Sequence, residues 1–451
     1  MLEKIIQSEI YSENIGEIGF LLLNHQDYMI DNDISWLHGV ELQDRLRAHL
    51  DCLILGEDLA VEVIQHMLET GDDDEFLGAC YAQAAIKTQS NIKHEILIKL
   101  FCDDISDSHP LIALASKNST STNLSNNLLS LVDDKDPLIR AVVIDVIGYR
   151  GDADPRRIWP RFHDEDESVK VAAMLAVMRL GFKEAVPAME QAVLENKDLF
   201  NEHCVFPLLM LGSQKALQFS RLACQSADYV KPQYPIYLAL GGNQDDIKYI
   251  LKSLDFNDMS LAVLEALGIF GSLAGVKTLM QYLSSEDDEE KLAAAKSLNQ
   301  LSGAQLFEMA TVVEKDEDDI DAEEITGKPA AAGDDTQAGD ERVIEVKQDC
   351  TDLERWTNWW QENNARFDPS IRYRFGKPYS FLLCLEEITH PESNYADRQR
   401  AYNEIVMRSG HHIQFEPDWF IDKQIEALKQ WQTWWNENKT KLSNQWMFNG
   451  I

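Results

Sequence analysis

Apolar residues recur every three to four positions over most of this chain, and the stretches that carry them have aspartate before and glycine after. The clearest pair is DKDPLIRAVVIDVIGYRG, from Asp134 to Gly151, and DEDESVKVAAMLAVMRLG, from Asp164 to Gly181. Aligned on their aspartates, Ile139 stands over Val169, Arg140 over Lys170, Val143 over Ala173 and Val146 over Ala176. The pattern predicts a helix capped by an aspartate side chain, which accepts from the first free N–H groups, and ended by glycine. Gly212, Gly241, Gly271 and Gly303 close further apolar stretches, and shorter helices, AVPAMEQAVL and VKTLMQYL, are expected after Gly181 and Gly271. One such helix pair has too little apolar surface to fold alone, so neighbours must stack into one core.

The same pattern divides the chain. Leu42, Leu46, Leu50 and Leu53 form one stripe of a helical stretch from Glu41 to Glu69, expected to cap the array, so residues 1–70 are read as an N-terminal helical cap. GDDDEFLGACYAQAAIK opens the repeats, which run over 71–303. Residues 304–350 are read as an acidic linker, mobile from Val313 to Val346, because Glu314 to Arg342 holds twelve Asp/Glu against three Lys/Arg. In 351–451 the motif LERWTNWWQEN recurs as LKQWQTWWNEN, which sets Trp356, Trp359 and Trp360, and again Trp431, Trp434 and Trp435, on single helix faces. Those faces are either the core of a small helical domain or an aromatic platform for a ligand or peptide. PYSFLLCLEEI and ADRQRAYNEIVMR predict two helices between the copies, with loops at Arg374–Lys377 and Ser409–Pro417.

The Asp-led, Gly-ended helices resemble the short HEAT-like repeats of bilin-lyase-like solenoids. With DRLRAHLDCLILGEDLA, RYRFGKPYS and AYNEIVMRSG, nearly the whole chain is similar to an uncharacterised family of bacterial HEAT-repeat proteins. The resemblance implies an all-α fold: a HEAT-like α-solenoid with a C-terminal Trp-rich helical domain. Members of that family are often encoded beside type VI secretion genes, which implies an accessory or adaptor that holds an effector or a secretion component. It brings no catalytic residues.

A solenoid presents a long face built from one helix per repeat. With Ile139, Val143 and Val146 inward, Asp145 and Tyr149 fall outward, and the matching positions are Leu175 and Arg179, Phe206 and Met210, and Glu265 and Ile269. Tyr149, Arg179, Phe206, Met210, Glu265 and Ile269 are therefore candidate partner-binding anchors. A register shifted by one residue would make the same positions core.

Charge narrows the partner. The formal net charge of −36, from 41 Lys+Arg against 77 Asp+Glu, repels nucleic acid and favours a protein with a basic surface. With no basic leader and no run of 18 apolar residues, membrane insertion is not expected and a cytoplasmic location is. Seven cysteines, none in a CxxC pair, predict free thiols with no disulfide framework or zinc site. His411, His412, Glu416 and Asp418 form the densest histidine–acid cluster, but adjacent histidines in a loop lack metal-ligand spacing, and His94–Glu95 has no second histidine to complete HExxH. No metal, cofactor or catalytic residue is expected. The expected function is a non-enzymatic protein-binding scaffold; the alternatives are an immunity protein occluding a toxin's basic cleft and a bilin-lyase-like enzyme.

Overall fold

The computed structural model describes residues 2–31, 34–85, 92–102, 108–195, 200–314, 342–442 and 445–451. It is mostly helical, as the apolar spacing predicts. The helices begin with α1 (Leu2–Ile30), α2 (Gly39–Leu55), α3 (Glu57–Thr70), α4 (Asp73–Ala85), α5 (Ile92–Cys102), α6 (His109–Asn118) and α7 (Leu124–Leu128). Then follow α8 (Pro137–Arg150), α9 (Glu167–Arg179), α10 (Val186–Glu195), α11 (Phe200–Met210), α12 (Gln214–Ala223), α13 (Gln233–Gly241) and α14 (Ile247–Lys252). The last are α15 (Ser260–Phe270), α16 (Val276–Tyr282), α17 (Asp288–Ser302), α18 (Leu353–Asn363), α19 (Phe381–Thr389), α20 (Tyr395–Ser409) and α21 (Ile421–Asn438). Two antiparallel hairpins join them: β1 (Phe307–Glu314) pairs with β2 (Arg342–Asp349), and β3 (Tyr373–Arg374) with β4 (Lys377–Pro378). The expected acidic linker falls mainly on 315–341, outside the described residues, and its flanks belong to β1 and β2.

The repeats fold as their caps dictate. Asp136 and Asp166 precede α8 and α9, and their carboxylates accept from Leu138 N and from Ser168 N and Val169 N. Gly151 and Gly181 follow with φ of 77° and 65°, in the left-handed region that costs other residues roughly 1–2 kcal/mol. Gly241 departs from this pattern, because it is still the last residue of α13. The first aspartate of a repeat serves its neighbour: Arg140 donates to both oxygens of Asp164, at 3.0 and 2.6 Å, and to Asp134 O at 2.7 Å. The helical stretch over Glu41–Glu69 forms two helices, α2 and α3, because the chain turns at Gly56 and Glu57, where φ of Glu57 is 46°. That turn sits against Tyr11 of α1, whose ring a Cβ on Gly56 would approach to 2.7 Å.

The chain forms two compact units. Unit 1 comprises Met1–Leu222, Leu240–Asn243 and Ser380–Ile451, and unit 2 comprises Ala223–Ala239 and Gln244–Tyr379. In unit 1, α1 packs on α2 and α4, while α4, α6, α8, α9 and α11 each pack on the next. Its core is continuous from Ile15 and Leu46 through Leu77 and Ile112 to Val143 and Ala173. In unit 2, α15 and α16 both pack on α17, and α16 meets α18. Residues after 350 are thus shared: α18 and the β3–β4 hairpin belong to unit 2, and α19, α20 and α21 to unit 1.

Candidate functional site

An α-helix ends in carbonyls that lack intrahelical donors and carry partial negative charge. In unit 1 those ends are met by an extended run, residues 410–416, that leads from α20 toward α21. Alternate side chains of an extended chain point the same way, and here they reach successive helices. His412 Nε2 lies 2.7 Å from Arg179 O at the end of α9, and Gln414 Nε2 donates to Gly148 O and Tyr149 O of α8 at 2.9 and 3.1 Å. Trp419 Nε1 and Lys423 Nζ complete the seat, donating to Tyr149 O and Arg150 O at 3.2 and 2.9 Å. The helix-ending glycines make room: a Cβ on Gly151 would lie 2.1 Å from Gln414 Oε1, and one on Gly181 would lie 2.4 Å from the His412 ring.

An ionic cluster lies under this strap. Arg179 Nη1 meets Asp145 at 2.6 Å and its Nε meets Glu416 at 3.3 Å, while Lys117 holds the other Asp145 oxygen at 2.7 Å. Burial would raise the Asp145 carboxyl, but Lys117 and Arg179 outweigh it and hold it below its usual value. Burial dominates at Glu416, pushing it up to about 7 against the pull of Arg179. The same cause drives Lys423 down to about 7, helped by the Arg150 charge. His412 falls to about 4, by burial and then by the His411 and Lys183 charges, so it is neutral at physiological pH. A neutral ring facing a carbonyl must carry its proton on Nε2. Tyr149 sits among Lys117, Arg179 and Lys423, each within 6 Å of its ring centroid, with Trp419 edge-on at 6.2 Å.

The structure brings two of the six expected anchors, Tyr149 and Arg179, into this cluster beside Glu416 and Asp418. Tyr149, expected outward, is only 5% exposed, because the strap covers it. Met210 and Ile269, also expected outward, are buried. Phe206 is half-buried and Glu265 exposed. The two tryptophan helices repeat one arrangement. Trp356 and Trp431 are buried, and their indole N–H groups donate to Cys350 O and Ile413 O at 2.6 and 3.0 Å. Trp359, Trp360, Trp434 and Trp435 are half-buried, and His411 stacks on Trp434 with ring centroids 4.8 Å apart.

Sequence reasoning missed the buried arginines. Arg150 donates to Ser116 O in the last turn of α6 and to Ser119 O and Ser121 O after it, and Arg408 donates to Gly242 O while pairing with Glu404 at 2.9 Å. In unit 2, Arg372 donates to Phe270 O and Ile269 O at the end of α15. A guanidinium has five donors in a fixed fork, so one side chain can close several helix-end carbonyls. The signal available was an arginine in an apolar setting next to a helix-ending glycine, as in GYRG.

Among the described residues no three His, Cys, Asp or Glu side chains converge as metal ligands. Burial raises the thiols of Cys204 and Cys224 to about 12 and 11, which disfavours the nucleophilic thiolate. No described helix is long and apolar enough to cross a membrane. The cluster offers hydrogen-bonded, partly ionic seating for an extended segment of this chain. No protein-family model matches the chain, and no curated protein shows significant similarity to it.

Proposed function

We propose that the chain is a non-enzymatic, HEAT-like α-solenoid scaffold that binds protein in the cytoplasm, with a partner of basic surface. The observation that supports this reading is the strap: helix ends in unit 1 already hold an extended polypeptide through Gln414, His412 and the Arg179–Glu416 pair. Helical repeats whose ends accept a passing chain are suited to hold a second protein in the same manner. The resemblance of the repeats and of RYRFGKPYS and AYNEIVMRSG directs the proposal to a type VI secretion accessory or adaptor that holds an effector or a secretion component. The charge of −36 agrees with a basic cargo.

The experiment is deletion of the gene together with affinity purification of the tagged full chain from its own cytoplasm. The expected result is a stoichiometric secretion protein in the eluate and reduced release of one effector from the deletion strain. Unchanged secretion together with the absence of any secretion component from the eluate would overturn the proposal.

A further inference from the structure

In unit 1, exposed apolar residues stand on the first turns of α1 and at the end of α2. Leu2, Ile6 and Ile10 stand at i, i+4 and i+8 of α1, so they form one stripe, with Ile5 beside it. Leu2 is 73% exposed, and Ile5, Ile6 and Ile10 are about half exposed, at 50%, 48% and 43%. Opposite Tyr11, where the α2–α3 turn meets α1, α2 ends in Ile54 and Leu55, which are 43% and 82% exposed. Scattered apolar side chains on a surface need no explanation, but a grouped stripe marks an interaction site.

The charge around it selects the occupant. Residues 2–70 contain fourteen Asp/Glu against three Lys/Arg. Each of the three cations is already paired within the chain: Lys4 with Glu62, Arg45 with Glu17, and Arg47 with Asp44 and Asp422. Glu9 and Glu13 on α1 and Glu57 and Asp58 just after Leu55 are exposed, and an apolar stripe with this acidic margin repels a second copy of this acidic chain and the headgroups of anionic lipid. We propose that this face docks a cationic amphipathic helix of a partner protein, with its apolar side on Leu2, Ile5, Ile6, Ile10, Ile54 and Leu55 and its Lys or Arg residues over the acidic rim. The inference gives the scaffold reading a defined docking surface and rests on it.

The test uses the full-length protein and a synthetic Lys/Leu amphipathic peptide of about five helical turns, followed by fluorescence anisotropy. The double variant Ile6→Asn, Leu55→Asn changes only exposed side chains, and an unchanged Tm shows that it folds. The expected result is saturable binding that weakens about tenfold in the double variant and further on raising salt from 0.05 to about 0.5 M. Equal binding by the variant, or equal binding of a scrambled peptide of the same charge, overturns the proposal in favour of unspecific charge attraction. Two other results overturn it by naming a different occupant: sedimentation of the protein with phosphatidylcholine vesicles, or a concentration-dependent dimer that the double variant loses. Failure here with a secretion protein still captured would leave the scaffold reading standing and move its docking surface elsewhere.

Discussion

The ends of α8 and α9 in unit 1 and those of α15 and α17 in unit 2 are closed in different ways. In unit 1 the covering segment reaches the ends of α8 and α9 with side chains, those of Gln414, His412, Trp419 and Lys423. In unit 2 the cover is mainly backbone: Tyr373 N donates to Gly271 O, Phe375 N to Gln300 O and Gly376 N to Leu301 O, with Arg372 as the side-chain exception. A backbone cover holds the chain at fixed distance and tolerates side-chain exchange. A side-chain cover depends on particular residues and can yield when one is altered. The repeat glycines experience both regimes, since Gly271 faces the Tyr373 carbonyl and Gly151 faces the Gln414 amide.

The sharpest break of this comparison is a methyl group at each glycine. Gly271→Ala places a Cβ 2.0 Å from Tyr373 O at φ of 68°, with backbone on both sides, and about 4 kcal/mol of stability should be lost. Gly151→Ala meets a side-chain tip that can swing away, and about 2 kcal/mol is expected. Urea unfolding of both variants decides it, and equal losses would erase the distinction. Next to Gly271→Ala in size is Arg150→Met, which leaves three carbonyls in and just after the last turn of α6 without their guanidinium donor; about 3 kcal/mol is expected, and a wild-type midpoint would show that water replaces the guanidinium freely.

Protonation gives a finer test of the side-chain cover. The folded-state value for Glu416, about 7, lies above its ordinary 4.5, so the folded chain binds that proton more tightly than the unfolded chain. Its stabilising contribution is complete below pH 4.5 and is lost as pH rises through 7. Glu416→Gln removes this dependence. Relative to the variant, the wild type should lose roughly 2 kcal/mol between pH 4.5 and 7, and a difference that stays flat across that window would mean that Glu416 is charged throughout. His412 works in the opposite direction: its value is depressed, so its contribution is present above about 6.5 and lost as pH falls through 4. Comparing each pH with the Gln variant cancels that slope. The smallest effect is Gln414→Ala, about 1 kcal/mol for two hydrogen bonds that water can partly replace; a loss of several kcal/mol would mean that the whole strap lifts with it.

Much of the helical framework was legible because caps and periodicity are local. Asp136, Asp166, Gly151 and Gly181 occupy the capping positions that their spacing predicts, and α10 and α16 follow as the shorter helices. The packing of the turn at Gly56 against Tyr11 was not legible, since Tyr11 lies forty-five residues earlier. The strands β1 and β2 were also missed, because MATVVE and RVIEVK do not alternate apolar and polar residues and flank a strongly acidic stretch. Of the candidate site, His411, His412, Glu416 and Asp418 stood out as a cluster and Tyr149 and Arg179 as outward positions; nothing linked the two sets.

That link is what only the tertiary structure decided. Helical spacing determines which residues share a face, so Ile139, Val143 and Val146 were correctly placed in the core. It contains no information on what covers the opposite face, because that depends on a segment more than 230 positions away, as the His412 contact with Arg179 shows. Cap and period are properties of a few adjacent residues and survive in any context. Burial of Tyr149 and the raised Glu416 carboxyl exist only once the strap is seated, since both arise from water excluded by distant chain.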